Sequence, residues 1–251
     1  MKKIILLMLM FFPLCVVNAS ANSNKETIVS EKTSYFKTTT FYGSEENFLS
    51  VSHNTFFSET IEITEQEYLE AKEMPNELSK AYNTIETTYK KLKVSILTDA
   101  DKYKYKAELE WKKMPKVRSY DILGIGFYRS VKALSISYNT HYCLNNGSCY
   151  TTNSYYAKNV SGGVGATFQL PTSSEVKSIK STLTANIDKN VTDATIIEQM
   201  ATAEYVHAQK NITSALAREY SIGVTGIDLN SNNISYYDNM GAVSVSINCN
   251  W

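Results

Sequence analysis

YKYKAELEW, Tyr103 to Trp111, alternates without a break: Tyr103, Tyr105, Ala107, Leu109 and Trp111 fall on one side, Lys104, Lys106, Glu108 and Glu110 on the other. A period of two with one apolar and one charged face is what a half-buried antiparallel strand requires. Just upstream, Leu92, Val94 and Ile96 alternate with Lys93 and Ser95, and LTDADK between the two runs has the composition of a hairpin turn. Downstream, Pro115 removes a ladder donor, so pairing stops there and the chain turns through Lys112 to Val117. YDILGIGFY from Tyr120 is apolar on both faces, as a central strand is, and Gly124 and Gly126 share one face with Ile122 and Tyr128. Two missing side chains on one face predict that a neighbouring element or an aromatic ring lies close to the sheet. Arg118 and Asp121, where this strand begins, are expected to form a local ion pair.

Further strands are predicted at Ser34 to Tyr42, Leu134 to Tyr142, Val164 to Leu170 and Leu183 to Ile187, and Val243, Val245, Ile247, Cys249 and Trp251 alternate to the last residue. Ala201 to Tyr220 fits a helix and a strand equally. Ahead of these strands, EITEQEYLEAKEMP carries a helix start: Thr64 as N-cap, Glu67 to complete a capping box, and Ile63 to pack on Tyr68. The helix is expected from Glu65 to about Glu73, stopped by Pro75. Many short strands with polar turns predict a mainly β protein, an antiparallel β-sandwich or related barrel with a short N-terminal helix. Eighteen tyrosines suit half-exposed sheets, where a ring can be buried while its hydroxyl stays wet. The expected organisation is a signal peptide over 1–21, a polar leader with a first strand and acidic helix over 22–80, and the sandwich over 81–251.

Lys2 and Lys3, the apolar run Ile4 to Val17 and the tripeptide Ala19-Ser20-Ala21 have the layout of a secretory signal peptide cleaved after Ala21. The expectation is a secreted, extracellular protein without a stable membrane anchor. Acidic and basic residues balance at 25 each, and removing Lys2 and Lys3 leaves a slight acidic excess, which argues against nucleic acid or an anionic membrane as partner. Glu45 to Glu77 is Glu-rich and Lys90 to Arg118 is basic; both read as solvated faces. Of the cysteines left after cleavage, Cys143 and Cys149 flank the polar loop LNNGS and are expected to form a disulfide, while Cys249 shares the inward parity of its strand. The bridged loop, with Tyr142, Asn145, Asn146 and Tyr150, is the expected contact surface, since recognition tends to use loops fixed to a rigid scaffold.

WKKMPKVRSYDILGIGF, together with EITEQEY and SYYAKNVSGGVGATFQLP, resembles a family of exported proteins from low-GC Gram-positive bacteria that has no assigned activity. The resemblance covers most of the chain after the leader. It implies export and a bacterial source; it implies no catalytic or binding residues.

Chemistry-bearing motifs are sparse. No G-x-S-x-G nucleophile elbow is present, and the histidines are His53, His141 and His207. Cys143 beside His141 is the nearest approach to a nucleophile and base, but a bridge to Cys149 would remove the thiolate. The same three side chains lack a fourth ligand for a structural zinc site. SGGVGATF lacks the third glycine and the helix of a dinucleotide loop. No catalytic, metal or cofactor residue is therefore assigned and no cofactor is expected. A carboxylate pair for hydrolysis would be invisible in sequence spacing. The expected function is a non-catalytic binding or surface-interaction module for an extracellular or cell-surface ligand. The alternatives are a membrane-acting β pore former, for which KSTLTANIDKNVT (Lys180 to Thr192) has suitable Ser/Thr alternation, and an extracellular hydrolase.

Overall fold

The computed structural model describes residues 26–42, 56–71, 84–99, 102–189, 196–238 and 240–250. The elements in chain order are β1 (Thr27–Tyr42), β2 (Phe56–Ile63), α1 (Glu65–Glu70), β3 (Thr84–Asp99), β4 (Lys102–Trp111), β5 (Tyr120–Phe127), β6 (Val131–Leu144) and β7 (Cys149–Thr152). They continue with β8 (Tyr156–Val160), β9 (Gly163–Gln169), β10 (Val176–Lys189), β11 (Ile196–Val206), β12 (Tyr220–Gly223), β13 (Gly226–Leu229) and β14 (Val243–Asn250). A seven-stranded sheet in the order β2-β1-β3-β4-β10-β6-β7 faces a five-stranded sheet in the order β14-β11-β5-β9-β8, and β12-β13 forms a small hairpin sheet. All pairings are antiparallel. The protein is a β-sandwich.

The strand that opened the reading, β4, lies between β3 and β10, with Tyr105, Ala107, Leu109 and Trp111 fully buried. Its charged face carries Lys91–Glu110 and Lys180–Glu108 ion pairs to the two neighbouring strands and a Lys106–Glu108 pair along β4 itself. The two cross-strand pairs, partly open to solvent, set register more than stability. The core joins Leu92, Val94 and Ile96 of β3, Ile179, Leu183 and Ala185 of β10, and Leu123, Ile125, Ala203 and Tyr205 of the opposite sheet.

β5 is buried on both faces for two different reasons. Leu123, Ile125 and Phe127 face the sandwich core, while Ile122 joins Val206, Tyr220, Ile222 and Tyr237 in a second cluster under the β12-β13 hairpin. Gly124 and Gly126 form the floor of that cluster. A Cβ on Gly126 would stand 1.8 Å from the Gly223 carbonyl oxygen, and one on Gly124 would stand 2.9 Å from Ile227 Cγ1. The glycines are there because the hairpin backbone rests on the sheet.

Glu204, on the same face of β11, accepts a hydrogen bond from the Ile227 backbone N–H and so ties β11 to β13. Burial pushes its pKa from 4.5 up to about 7, against the Ile227 hydrogen bond and with the help of the Asp228 charge. The folded carboxyl holds its proton more tightly than the unfolded one. The stability it contributes is therefore complete below about pH 4.5 and is lost as pH rises through about 7. Glu204→Gln keeps an acceptor and should flatten this decline. Melting temperatures of both proteins across that window check it, and parallel profiles would contradict it.

α1 starts as its sequence dictates: Thr64 Oγ1 accepts from Glu67 N at 3.2 Å, and Glu67 Oε2 accepts from Thr64 N at 2.8 Å. The helix ends at Glu70, earlier than the sequence suggests. Lys112 Nζ donates to the carbonyls of Tyr68 and Leu69, satisfying the last turn, and buried Tyr68 packs on Tyr35 at 5.0 Å. The ambiguous stretch 201–220 resolves as the end of β11, an irregular connection and a 3₁₀ turn at Leu216–Arg218. Among the described residues no helix is long and apolar enough to cross a membrane. The signal-peptide cleavage at Ala21, His53, the stop at Pro75 and the side chain of Cys249 lie outside the described residues; the Cys249 backbone pairs with Ile197 in the β11-β14 ladder.

Candidate functional site

The β6-β7 hairpin carries the predicted loop. Cys143 and Cys149 are register partners and are joined by a disulfide, with Cα atoms 4.1 Å apart. The turn needs Gly147, whose φ is +86°, and is closed by Gly147 N donating to Leu144 O and Ser148 N donating to Asn146 Oδ1. Asn145 anchors it to the neighbouring turn through its N–H to Glu175 O at 2.8 Å and its amide to Glu175 Oε2 at 3.2 Å. Asn145, Asn146 and Tyr150 are exposed, and Tyr150 stacks on its register partner Tyr142 at 5.5 Å. His141 lies within 4.8 Å of both sulfurs, but the disulfide leaves no thiolate for a metal or for nucleophilic attack.

Tyr142 also lines a cleft of about 440 Å³ that the sequence did not indicate. Its walls are Tyr120, Tyr155, Tyr156 and Phe168, with Thr152, Ser154 and Thr167 and the segment Gln169 to Ser173. The aromatic groups are held from behind. Tyr155 donates to Ile136 O at 3.2 Å and packs on buried Tyr138 at 5.4 Å, while the Arg218 guanidinium lies 4.5 Å from the Tyr156 ring centre. Tyr138 in turn packs on Phe168 at 4.6 Å and shares hydrogen bonds with Thr140 and Ser181. Arg118, expected to pair with Asp121, instead fixes the cleft wall: its Nη1 donates to Pro171 O at 3.2 Å and to Ser173 O, and its Nε to Pro115 O at 3.2 Å. Three backbone carbonyls, from two separate turns, converge on this guanidinium, and its several N–H donors suit them, whereas the Asp121 carboxylate faces the core.

Asp121 faces inward and organises a second, fully buried polar cluster. Its Oδ1 accepts from Ala208 N at 2.9 Å, and its Oδ2 accepts from the Tyr205 hydroxyl and lies 3.0 Å from His207 Nδ1. Burial, followed by the Asp121 charge and hydrogen bond, pushes the Tyr205 phenol well above its usual range. Asp238 accepts from His207 N at 2.7 Å and forms an ion pair with Lys90, both side chains being 0% exposed. Trp111 closes the cluster, edge-on to His207 at 5.0 Å and to Tyr205 at 5.9 Å, with Lys90 Nζ 5.1 Å from its ring centre. Lys90 thus leaves the basic stretch expected to be solvated and enters the core. β10, which contains most of the segment considered for a pore hairpin, is an internal strand laddered to β4 and β6 on both sides.

Fold and cleft together define an all-β sandwich with an aromatic cleft beside a bridged loop. No protein-family model matches the chain, and no curated protein matches it. Among solved structures it is similar to the KRT10-binding region domain of the pneumococcal serine-rich repeat protein PsrP, at 13% identity and a TM-score of 0.29, covering 52% of this chain and 82% of that one. It is also similar to the collagen-binding domain of the Erysipelothrix rhusiopathiae surface protein RspB, at 10% identity and a TM-score of 0.27, covering 52% of this chain and 63% of that one. The full-length major pilin SpaD of Corynebacterium diphtheriae overlaps at 13% identity and a TM-score of 0.30, covering 68% of this chain and 56% of that one. At TM-scores this low, what those proteins bind or build is theirs alone.

Proposed function

We propose that this chain is an exported bacterial binding module whose tyrosine-lined cleft, with the bridged loop at its rim, takes a neutral, hydroxyl-rich ligand: a short glycan. One observation carries the reading. The thirteen described residues that line the cleft comprise five aromatic rings, six hydroxyl or amide side chains and no charged group. Aromatic faces match the apolar faces of sugar rings, and side-chain hydroxyls with backbone carbonyls match their hydroxyls; a phosphate, sulfate or carboxylate ligand would find no cation among the lining residues, the nearby Arg118 being engaged with backbone carbonyls and Arg218 with the Tyr156 ring. The same lining supports binding over hydrolysis, since glycoside hydrolysis uses a carboxylate pair flanking the bond. Tyr142 ties the loop residues Asn145, Asn146 and Tyr150 to the cleft, so they are placed to touch the part of a ligand that extends beyond it. Recognition residues on rigid strands and short loops lose little entropy on binding.

Calorimetric titration with a panel of neutral oligosaccharides tests this. Saturable binding is expected, with Tyr155→Ala and Tyr156→Ala each weakening it roughly tenfold, the scale for an aromatic anchor at the centre of a contact. A proline-rich peptide is the control, because its rings also stack on tyrosine. Binding of the peptide alone, or glycan binding insensitive to both substitutions, would overturn the assignment.

A further inference from the structure

The seven-stranded sheet sends one lysine into the core, Lys90 of β3, and the segment before β14 of the five-stranded sheet brings one carboxylate to meet it, Asp238. Both side chains are 0% exposed, and they are in contact. Around them stand Trp111 and Tyr205, whose ring centres lie 5.1 Å and 5.6 Å from Lys90 Nζ. Asp238 is fixed to His207 through two backbone links: His207 N donates to Asp238 Oδ1 at 2.7 Å, and Asp238 N donates to His207 O at 2.9 Å. Asp121 holds His207 in turn, through its ring nitrogen and through the next backbone N–H, that of Ala208. The amine thus meets one carboxylate oxygen, Oδ2, while the other, Oδ1, carries a backbone donor.

A bare ion pair is an expensive occupant for such a place, because desolvating both charges offsets most of their attraction. The same geometry is a reactive one. We propose that Lys90 and Asp238 condense to an intramolecular isopeptide bond that joins the two sheets. A proton passes from the Lys90 ammonium to Oδ2 of Asp238, leaving an amine and a carboxylic acid. The amine attacks Cγ, so that the Nζ–Cγ bond forms and negative charge develops on Oδ1, where the His207 N–H stands to receive it. The Cγ–Oδ2 bond then breaks, and Oδ2 leaves with its proton and a second proton from the amine as water. Nothing is oxidised or reduced, and no co-reactant is needed. Fixing the two groups in contact replaces an unfavourable encounter in water with a unimolecular step of very high effective concentration, and the product amide removes both charges from the core. His207 and Asp121 act as positioning residues.

The consequence is mechanical. The disulfide spans six residues of one hairpin, so it restrains neither sheet against the other. A Lys90–Asp238 link spans 148 residues and crosses the sandwich, and the restraint a cross-link places on the unfolded chain grows with the loop it closes.

Mass spectrometry of the reduced, denatured full chain tests the bond. The wild type should be lighter than its Lys90→Arg variant by the substitution mass and one additional water. Tryptic digestion should fail to cut after Lys90 and should yield a branched peptide joining the Lys90 and Asp238 segments, located by fragmentation. The variant should keep its full mass and melt at a lower temperature. A folded wild type with its full sequence mass and normal cleavage after Lys90 would overturn the proposal, as would loss of water from Lys90→Arg as well.

Discussion

Replacing Trp111 by alanine should destabilise the protein by about 3 to 5 kcal/mol, the range for removing a large aromatic side chain from a packed core. Trp111 is 1% exposed, at the end of β4, and its ring supports three things at once: edge contacts to His207 and Tyr205 and one wall of the Lys90 site. Relaxation cannot close the cavity cheaply, because the groups around it are polar and held by hydrogen bonds from both sheets. Trp111→Phe should cost much less. The indole N–H finds no hydrogen-bond partner among the described residues, so losing it strands no acceptor. Urea denaturation measures both variants, and an unchanged midpoint for Trp111→Ala would contradict this assignment of the core.

The second large effect belongs to Asp121→Ala. Asp121 is fully buried, and its loss would leave the Tyr205 hydroxyl, the Ala208 N–H and His207 Nδ1 without their acceptor. Each stranded donor costs about 1 to 3 kcal/mol, and because the three belong to one network the sum is not additive; a total of roughly 3 kcal/mol or more is expected. Asp121→Asn retains one carbonyl acceptor and should recover part of the loss. Denaturation midpoints of the two variants give the comparison. Equal stability of wild type and Asp121→Ala would mean that the cluster is not a structural element of the sandwich.

The strands were legible wherever one face meets the core and the other meets water, as in Tyr103 to Trp111, because that contrast writes a period of two into the sequence. The double burial of β5 was legible as well, and Gly124 and Gly126 announced a close approach to the sheet, by an element or a ring, which the β12-β13 hairpin makes. The buried polar cluster was missed for a different reason. Lys90 shares the parity of Leu92, Val94 and Ile96, Asp121 that of Leu123 and Ile125, and His207 that of Ala203 and Tyr205. The alternation therefore did point all three inward, but a charged residue in a basic or turn-like stretch reads as solvated unless parity is weighed above charge. Asp238 lies outside any strand, so no local pattern could have placed it beside Lys90. The cleft was hidden in the same way. Tyr142 was singled out because it borders the bridged loop, but Tyr120, Tyr155 and Tyr156 come from different strands and connections, and only the pairing of β5 and β8 with β9, and the packing of β6 from the other sheet against them, brings them together.

Backbone amide chemical-shift mapping during titration with a neutral oligosaccharide tests the cleft most directly. Shifts should concentrate at Tyr120, Tyr142, Thr152 to Tyr156 and Thr167 to Ser173, extend to Asn145 and Asn146 with longer ligands, and leave the opposite end of the sandwich unmoved. Saturable shifts centred elsewhere on the protein, with these residues silent, would contradict the account.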